Sequence, residues 1–272
     1  MNHSYDALAA TVGTLLRTAL RDGIASAQGA VIDKHTTVAG DVVTDTDFAV
    51  QDRLQTVLVD LLPESEFIGE ENFTAPETLD DKPHWLVDPL DGTLNFACDL
   101  PFFGSSVALL VGGTPVVGVV YDYGNDTIYS AALGHGAQAN GPPFTWDGTM
   151  AARAPVGISS GYLAHCAPDD AQSGAANVVG ARYRIFGSQA VQLCWAAMGR
   201  LKMNINYEAK LWDDAAGWLI CKEAGAGYAA LGSDPLFPLT RGSAALAGDN
   251  LLSVSGSPDL VTSYRDHRSK GR

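Results

Sequence analysis

The amino-acid sequence predicts stacked α/β layers, and three observations carry that prediction. Apolar residues near the N-terminus recur at helical spacing. Residues 105–132 change to β-branched and aromatic runs separated by glycine-containing turns. Past Pro143, strand-like and helix-like patterns alternate, as expected of sheets covered by helices.

In chain order, Leu8, Val12, Leu15, Leu16, Ala19 and Leu20 define a scaffold helix over residues 4–25, with Ser4 as its candidate cap. A polar turn region runs through Gly40. Asp41-Val42-Val43-Thr44-Asp45-Thr46-Asp47 then leads into a second helix carrying Phe48, Leu54, Val57, Leu58 and Leu61, which Pro63 closes because proline cannot continue the hydrogen-bond ladder. Residues 66–68 read as a short strand emptying into Gly69-Glu70-Glu71, and the polar residues 72–83 as a surface loop. Trp85, Leu86 and Val87 read as a buried strand that Asp88-Pro89 ends, with Gly92-Thr93 turning into a helix. Residues 105–111, 116–123 and 127–132 form an antiparallel meander, and Gly134, Gly136, Asn140 and Gly141 continue as turns. The second half gives strands at 156–159, 183–186 and 201–205. It gives helices after Pro168, at 188–198, at 213–224 and from Ser257.

With 272 residues and 46% apolar content, the chain can bury a sizeable core as one large domain or two small ones. Residues 1–6 carry no basic segment, and Arg17, Arg21 and Asp22 interrupt the first apolar pattern. We therefore expect neither a leader peptide nor a membrane span, and a cytoplasmic location. Cys98, Cys166, Cys194 and Cys221 are scattered without a Cys-x-x-Cys pair, which suits reduced thiols better than a zinc site or disulfide frame. A net charge of −14 without a Lys/Arg cluster disfavours nucleic acid as a partner.

The chain is organised around Trp85 to Phe96, where an apolar run ends in two aspartates, a glycine and a hydroxyl. A tight turn there makes Asp88 and Asp91 converge on one space, at which the orphaned N–H groups of a helix start also point. Asp-Gly alone is an ordinary turn dipeptide; the full string Asp-Pro-Leu-Asp-Gly-Thr is far more specific. Adjacent strand ends would bring Glu70 beside Asp88. Asp45 and Asp47 stand in the first turn of a helix, and Asp213 opens another, positions that capping alone explains.

Four motifs now stand in order: Asp41 to Asp47, Gly69-Glu70-Glu71, Asp88 to Thr93, and Trp212-Asp213-x-Ala215-Ala216. Together they resemble the inositol monophosphatase family of magnesium-dependent, lithium-sensitive phosphatases, from the first helix to the last. The resemblance implies a layered αβαβα sandwich of the inositol monophosphatase and fructose-1,6-bisphosphatase type. It implies one domain over residues 1–272, with most metal ligands in 1–150 and with Asp213 and the alcohol pocket in 151–272, and a homodimer. It also implies that Glu70, Asp88, Asp91, Asp213 and the Leu90 carbonyl hold two to three Mg²⁺ ions, Asp88 bridging two. Hard oxygen donors without His or Cys suit that metal. By the same resemblance one ion activates water while the others neutralise the phosphate and the departing alkoxide. Gly92 and Thr93 would offer N–H groups to the phosphate, and Thr93 with Asp47 would orient or deprotonate the water, with Glu70 also counted as catalytic.

Substrate choice departs from the family pattern. Members preferring inositol phosphate place a Glu six residues before the motif Trp; here Asn206 stands there, with Glu208 two residues later. The loop Gly187-Ser188-Gln189-Ala190 has Gln189 where a small residue is common. Gly187, Ser188, Gln189 and Asn206, with Gly92 and Thr93, are the candidate substrate contacts, and one altered polar partner can shift discrimination by orders of magnitude. The expectation is a phosphomonoesterase for a polyol or sugar phosphate such as inositol 1-phosphate. Histidinol phosphate, fructose 1,6-bisphosphate and adenosine 3′,5′-bisphosphate are alternative substrates, and a metal-binding interaction protein is the non-enzymatic alternative. Lys34 and Lys210 are either phosphate contacts or surface charges.

Overall fold

Leu8, Val12, Leu16 and Leu20 share one stripe of a 3.6-residue period, and all four are buried beneath helix α1, Tyr5–Ser26. The computed structural model describes residues 4–26, 31–33, 42–71, 73–76, 79, 82–165, 182–232, 235–240 and 242–270. Lys34, Asp41, Cys166 and the helix expected after Pro168 lie outside them. Helix α2, Asp45–Leu61, lies beside α1 and buries Val50, Leu54 and Leu58. A short ribbon, β1 (Val31–Asp33) with β2 (Val42–Thr44), leads into it.

The first sheet has seven strands in sequence order: β3 Glu66–Gly69, β4 His84–Asp91, β5 Gly104–Val111, β6 Thr114–Asp122, β7 Thr127–Ala132, β8 Ala137–Ala139 and β9 Pro143–Phe144. β3 and β4 run parallel; every other neighbour is antiparallel, as the expected meander requires. The region expected as turns alone holds β8 and β9, although Gly134, Gly136, Asn140 and Gly141 do take positive φ. A short helix α3, Thr93–Ala97, follows β4, and α4, Gly148–Ala151, follows β9.

The second sheet orders β11 (Tyr183–Arg184), β10 (Val156–Ile158), β12 (Met203–Ala209), β14 (Leu251–Gly256) and β13 (Gly227–Leu231). The sequence reading shows neither β13 nor β14, in which Gly, Ala and Ser interrupt the few large apolar residues and weaken the strand signature. Helices α6, Gln189–Ala197, and α7, Leu211–Ala224, fill the space between the sheets. α7 touches β4, β5, β6 and β7 on one side and β13 on the other; α6 touches β5 and β6 as well as β12 and β14. Outside the second sheet, α5 (Ser160–His165) covers β12 and α8 (Pro258–Lys270) covers β13 and β14. With α1 and α2 against β4, β6 and β7, the result is the five-layer αβαβα sandwich. At Gly118 a Cβ would stand 2.8 Å from the Ala216 carbonyl oxygen, so α7 rests directly on β6. Among the described residues no helix is long and apolar enough to cross a membrane.

Candidate active site

The acidic centre begins where two strands end side by side. Glu66 to Gly69 pair in register with His84 to Val87, and the Glu70 N–H continues the ladder to the Val87 carbonyl at 3.0 Å, which sets Glu70 beside Asp88 as expected. The Gln51 side chain clamps this corner, accepting from the Glu71 N–H at 2.9 Å and donating to the Glu71 carbonyl at 2.8 Å. Gln51 carried no signal in the sequence beyond lying on α2.

The strand expected to stop at Asp88-Pro89 instead continues to Asp91. Its pairing with β5 slips: Asp88 faces Ser106, and Asp91 faces Gly104. Three steps along one strand are matched by two along the other, a bulge. In a regular strand, residues three apart point to opposite faces; the extra residue re-aims one of them, so both carboxylates serve one site. The bulge is secured by Ser105 Oγ, which donates to the Pro89 carbonyl, and by the Leu90 N–H, which donates to Asp88 Oδ1 at 2.9 Å. Gly92 then takes φ +98°, where its Cβ would also crowd the Gly187 carbonyl oxygen at 3.1 Å.

Asp213 comes from the other half of the chain. Helix α7 opens at Leu211 rather than at Asp213, so Asp213 is its third residue and accepts from the Lys210 N–H at 2.7 Å. Ser106 Oγ on β5 donates to the Trp212 carbonyl at 3.0 Å, pinning this helix start to the first sheet. Glu70, Asp88 and Asp213 each turn a carboxylate oxygen into one space, all within 4.8 Å of one another. Asp91 stands beside that trio. Its Oδ2 accepts from Ser188 Oγ and the Ala190 N–H, both at 2.6 Å.

These carboxylates are difficult to ionise together. Burial, then Glu70, Asp213 and Asp91, push Asp88 well above the ordinary carboxylate range. Burial, then Asp91 and Glu70, do the same to Asp213. Burial lifts Asp91 to about 6 against the opposing pull of the Ser188 hydroxyl and the Ala190 and Gln189 amides. A buried group of like charges asks for a cation, and an all-oxygen donor set fits a hard divalent ion.

Asp47 and Thr93 meet at the edge of this cluster. Asp47 closes a capping box on α2, with Oδ2 accepting from the Thr44 N–H at 2.8 Å and from the Thr44 hydroxyl. Its other oxygen, Oδ1, lies 3.0 Å from Thr93 Oγ1, which is also 3.0 Å from the Leu90 carbonyl. Burial raises the Asp47 carboxyl, opposed by Thr44 and Thr93.

Next to the acidic cluster lies a cavity of about 110 Å³, walled by Asp91 and Asp213, by the Gly187-Ser188-Gln189 loop, and by Ser159, Ser160, Gln192, Asn206 and Glu208. Asn95 seats the loop, donating to the Phe186 carbonyl at 2.6 Å and the Phe102 carbonyl at 2.7 Å. Of the expected contacts, Gly187 and Ser188 line the cavity, and Ser188 also bonds Asp91 beside the acidic cluster. Gln189 and Asn206 reach the cavity wall but spend their amides inside the protein. Asn206 donates to Gln189 Oε1 at 2.8 Å and accepts from the Glu208 and Ala209 N–H groups at 2.8 and 2.9 Å. That second pair of bonds bridges a register break in β12. The exposed carboxylate beyond it, Glu208, is the acidic group of the far wall and accepts from the Gly161 N–H at 2.9 Å. Counting back from Trp212 selected Asn206; Glu208, two residues on and so on the same strand face, lines the cavity as well. Lys210 is held away, donating to the Gly248 carbonyl at 2.7 Å and Asn250 Oδ1 at 2.6 Å. Cys98, Cys194 and Cys221 are free thiols, as expected.

Comparison with known proteins places the chain in a family. The sequence profile of the inositol monophosphatase family matches residues 2–254. Inositol monophosphatase 1 of Solanum lycopersicum is 35% identical over 224 residues, covering 79% of this chain and 82% of that protein. The inositol-1-monophosphatase of Mycobacterium bovis is 35% identical over 218 residues, covering 75% and 71%. The solved structure of Mycobacterium tuberculosis SuhB superposes with a TM-score of 0.71 at 27% identity, covering 100% of this chain and 99% of that one. By sequence and by fold, the chain belongs to the inositol monophosphatase family of phosphoric monoester hydrolases.

Proposed function

We propose that this protein is a Mg²⁺-dependent phosphomonoesterase for a small polyol or sugar phosphate, inositol 1-phosphate included. The observation that carries the reading is the convergence of Glu70, Asp88 and Asp213 beside a cavity whose far wall is hydroxyls, amides and one carboxylate. Glu70, Asp88, Asp91, Asp213 and the Leu90 carbonyl would hold two to three Mg²⁺ ions. When bound, these ions supply charge neutralisation for the phosphate and the leaving alkoxide and lower the pKa of the attacking water.

The chain's own residues do the rest. Thr93, by donating its hydroxyl proton to Asp47, keeps an Oγ1 lone pair for a proton of the attacking water, and buried Asp47 is the base behind it. Gly92 and Thr93 offer backbone N–H groups to the phosphate oxygens. Ser188 and the Ala190 N–H hold Asp91 as an oriented carboxylate. Glu208 accepts hydroxyl protons of the alcohol. Among the described residues no Lys, Arg or His lines the cavity, so a second phosphate there would face Glu208 unneutralised. Fructose 1,6-bisphosphate and adenosine 3′,5′-bisphosphate are therefore poorer fits than a monoester whose alcohol carries hydrogen-bond donors.

We further propose a cytoplasmic homodimer that needs neither nucleic acid nor membrane. Three free thiols suit a reducing compartment. Exposed Leu94, Leu100 and Ile185, on segments that Asn95 joins, suit a second copy, which sedimentation would test.

The test of function is phosphate release from inositol 1-phosphate, sugar phosphates, histidinol phosphate and adenosine 3′,5′-bisphosphate, with Mg²⁺ or with chelator. One monoester well above the rest, abolished by chelator and by Asp91→Asn, is the expected result. Activity that survives Asp91→Asn, or no release at all, overturns the proposal.

A further inference from the structure

Between helices α6 and α7 and the second sheet, where a core normally turns apolar, lies a seam of polar side chains built around one residue. Gln189 is only 4% exposed and uses both ends of its amide. Its Nε2 donates to Asp214 Oδ1 at 2.6 Å and lies 3.2 Å from Ser253 Oγ; its Oε1 accepts from Asn204 Nδ2 at 2.9 Å and Asn206 Nδ2 at 2.8 Å. The far oxygen of Asp214 is closed by the Tyr228 hydroxyl at 2.7 Å. One side chain thus ties together α7, β12 and β14.

Each of those ties reaches a different part of the site. The backbone N–H groups of Gln189 and Ala190, with the Ser188 hydroxyl, hold Asp91. Asp214 is the immediate neighbour of Asp213 on the first turn of α7. Asn206 holds the irregular segment that carries Glu208, which lines the cavity. We propose that Gln189 is a positioning residue that couples the metal-facing carboxylates to the alcohol-facing wall and thereby sets which alcohol the site accepts. Its amide also occupies the Asn206 Nδ2 donor while the Glu208 and Ala209 N–H groups occupy the Asn206 oxygen, so Glu208 remains the hydroxyl acceptor. The inference rests on the phosphomonoesterase reading above and adds what selects the substrate.

A merely structural seam would stabilise the fold without altering discrimination, and the two roles separate experimentally. The readout is the ratio of kcat/KM for the best alcohol phosphate of the panel to that for phenyl phosphate, whose ring offers no hydroxyl to Glu208. Gln189→Ala should lower this ratio by about tenfold or more, mainly through KM for the alcohol phosphate. Gln189→Glu sets two carboxylates against each other and should lower it too. Combining Gln189→Glu with Asp214→Asn reverses donor and acceptor across the 2.6 Å contact while leaving an oxygen for Tyr228, and should restore both the ratio and the Tm.

Unchanged ratios in variants whose two activities fall together, or a folded double variant that does not recover the ratio, overturn the inference while leaving the phosphatase reading standing. A wild-type protein that releases no phosphate overturns both. Should Gln189→Ala fail to fold, Gln189→Glu and the swapped pair decide the question alone.

Discussion

Removing divalent ions should make the fold pH-sensitive in a direction opposite to ordinary acid denaturation, and Asp91 sets the scale. Its carboxyl is displaced by burial from an ordinary 3.8 to about 6. A group whose folded pKa is raised favours the fold while protonated. That contribution is fully present below the unfolded pKa and is lost as pH rises through the folded one. The displacement is worth on the order of a few kcal/mol in full, of which roughly half remains at pH 5 and almost none at pH 7.5. Burial raises Asp88 and Asp213 in the same direction. For a chain of this size, the loss should lower the Tm in chelator by roughly a few degrees between pH 5 and 7.5. Mg²⁺ competes with those protons, so its stabilisation should be larger at pH 7.5 than at pH 5. Differential scanning calorimetry at the two pH values, with chelator and with saturating Mg²⁺, measures both effects. A Mg²⁺-induced rise that is equal at both pH values, or greater at pH 5, refutes the assignment of this cluster as the metal site.

Three further outcomes follow from individual contacts. Ser188→Ala removes a donor from buried Asp91, a loss of about 1.5–3 kcal/mol for a charge-assisted bond. Because that donor opposes the upward shift, the acidic limb of the pH–rate profile should move to higher pH. Lys210→Met should lower the Tm by a few degrees yet leave KM for the phosphate ester within about twofold, since its ammonium bonds Gly248 and Asn250; kinetics and calorimetry on one preparation check this. Gly118→Val forces a side chain against the Ala216 backbone and should cost about 1–3 kcal/mol or prevent folding, as urea denaturation will show.

How legible the molecule was depends on how local the cause is. Helix α1 and the strands of the meander follow from the period of their own apolar residues, and their boundaries were readable to within a residue or two. β13 and β14 mix small residues with a few large apolar ones and become strands because β12 and α8 flank them, a tertiary cause that no window of sequence contains. The acidic cluster was legible because its residues sit in specific motifs at strand ends and a helix start. Their supports, Gln51, Asn95 and Ser106, come from other elements and carry no local signature.

The same contrast explains why the acidic end of the site was easier to read than the polar cavity beside it. A carboxylate trio must be hard, anionic and convergent, which constrains residue type directly. Discrimination among alcohols depends on which amide or carboxylate has hydrogen bonds left to give, and that is decided by neighbours. Asn206 stands at the expected count from Trp212, yet Gln189 and the backbone after it absorb most of its capacity. Glu208 lies two residues beyond the expected count, a spacing that shares a strand face with Asn206, and it too lines the cavity. In β4 a bulge re-aims one aspartate to complete the acidic cluster; in β12 the register break falls between Asn206 and Ala209, in the segment that carries Glu208. Both walls of the site thus lie at a departure from strand regularity, and in both the departure is held by hydrogen bonds to polar side chains: Ser105 and Asp88 in β4, Asn206 in β12.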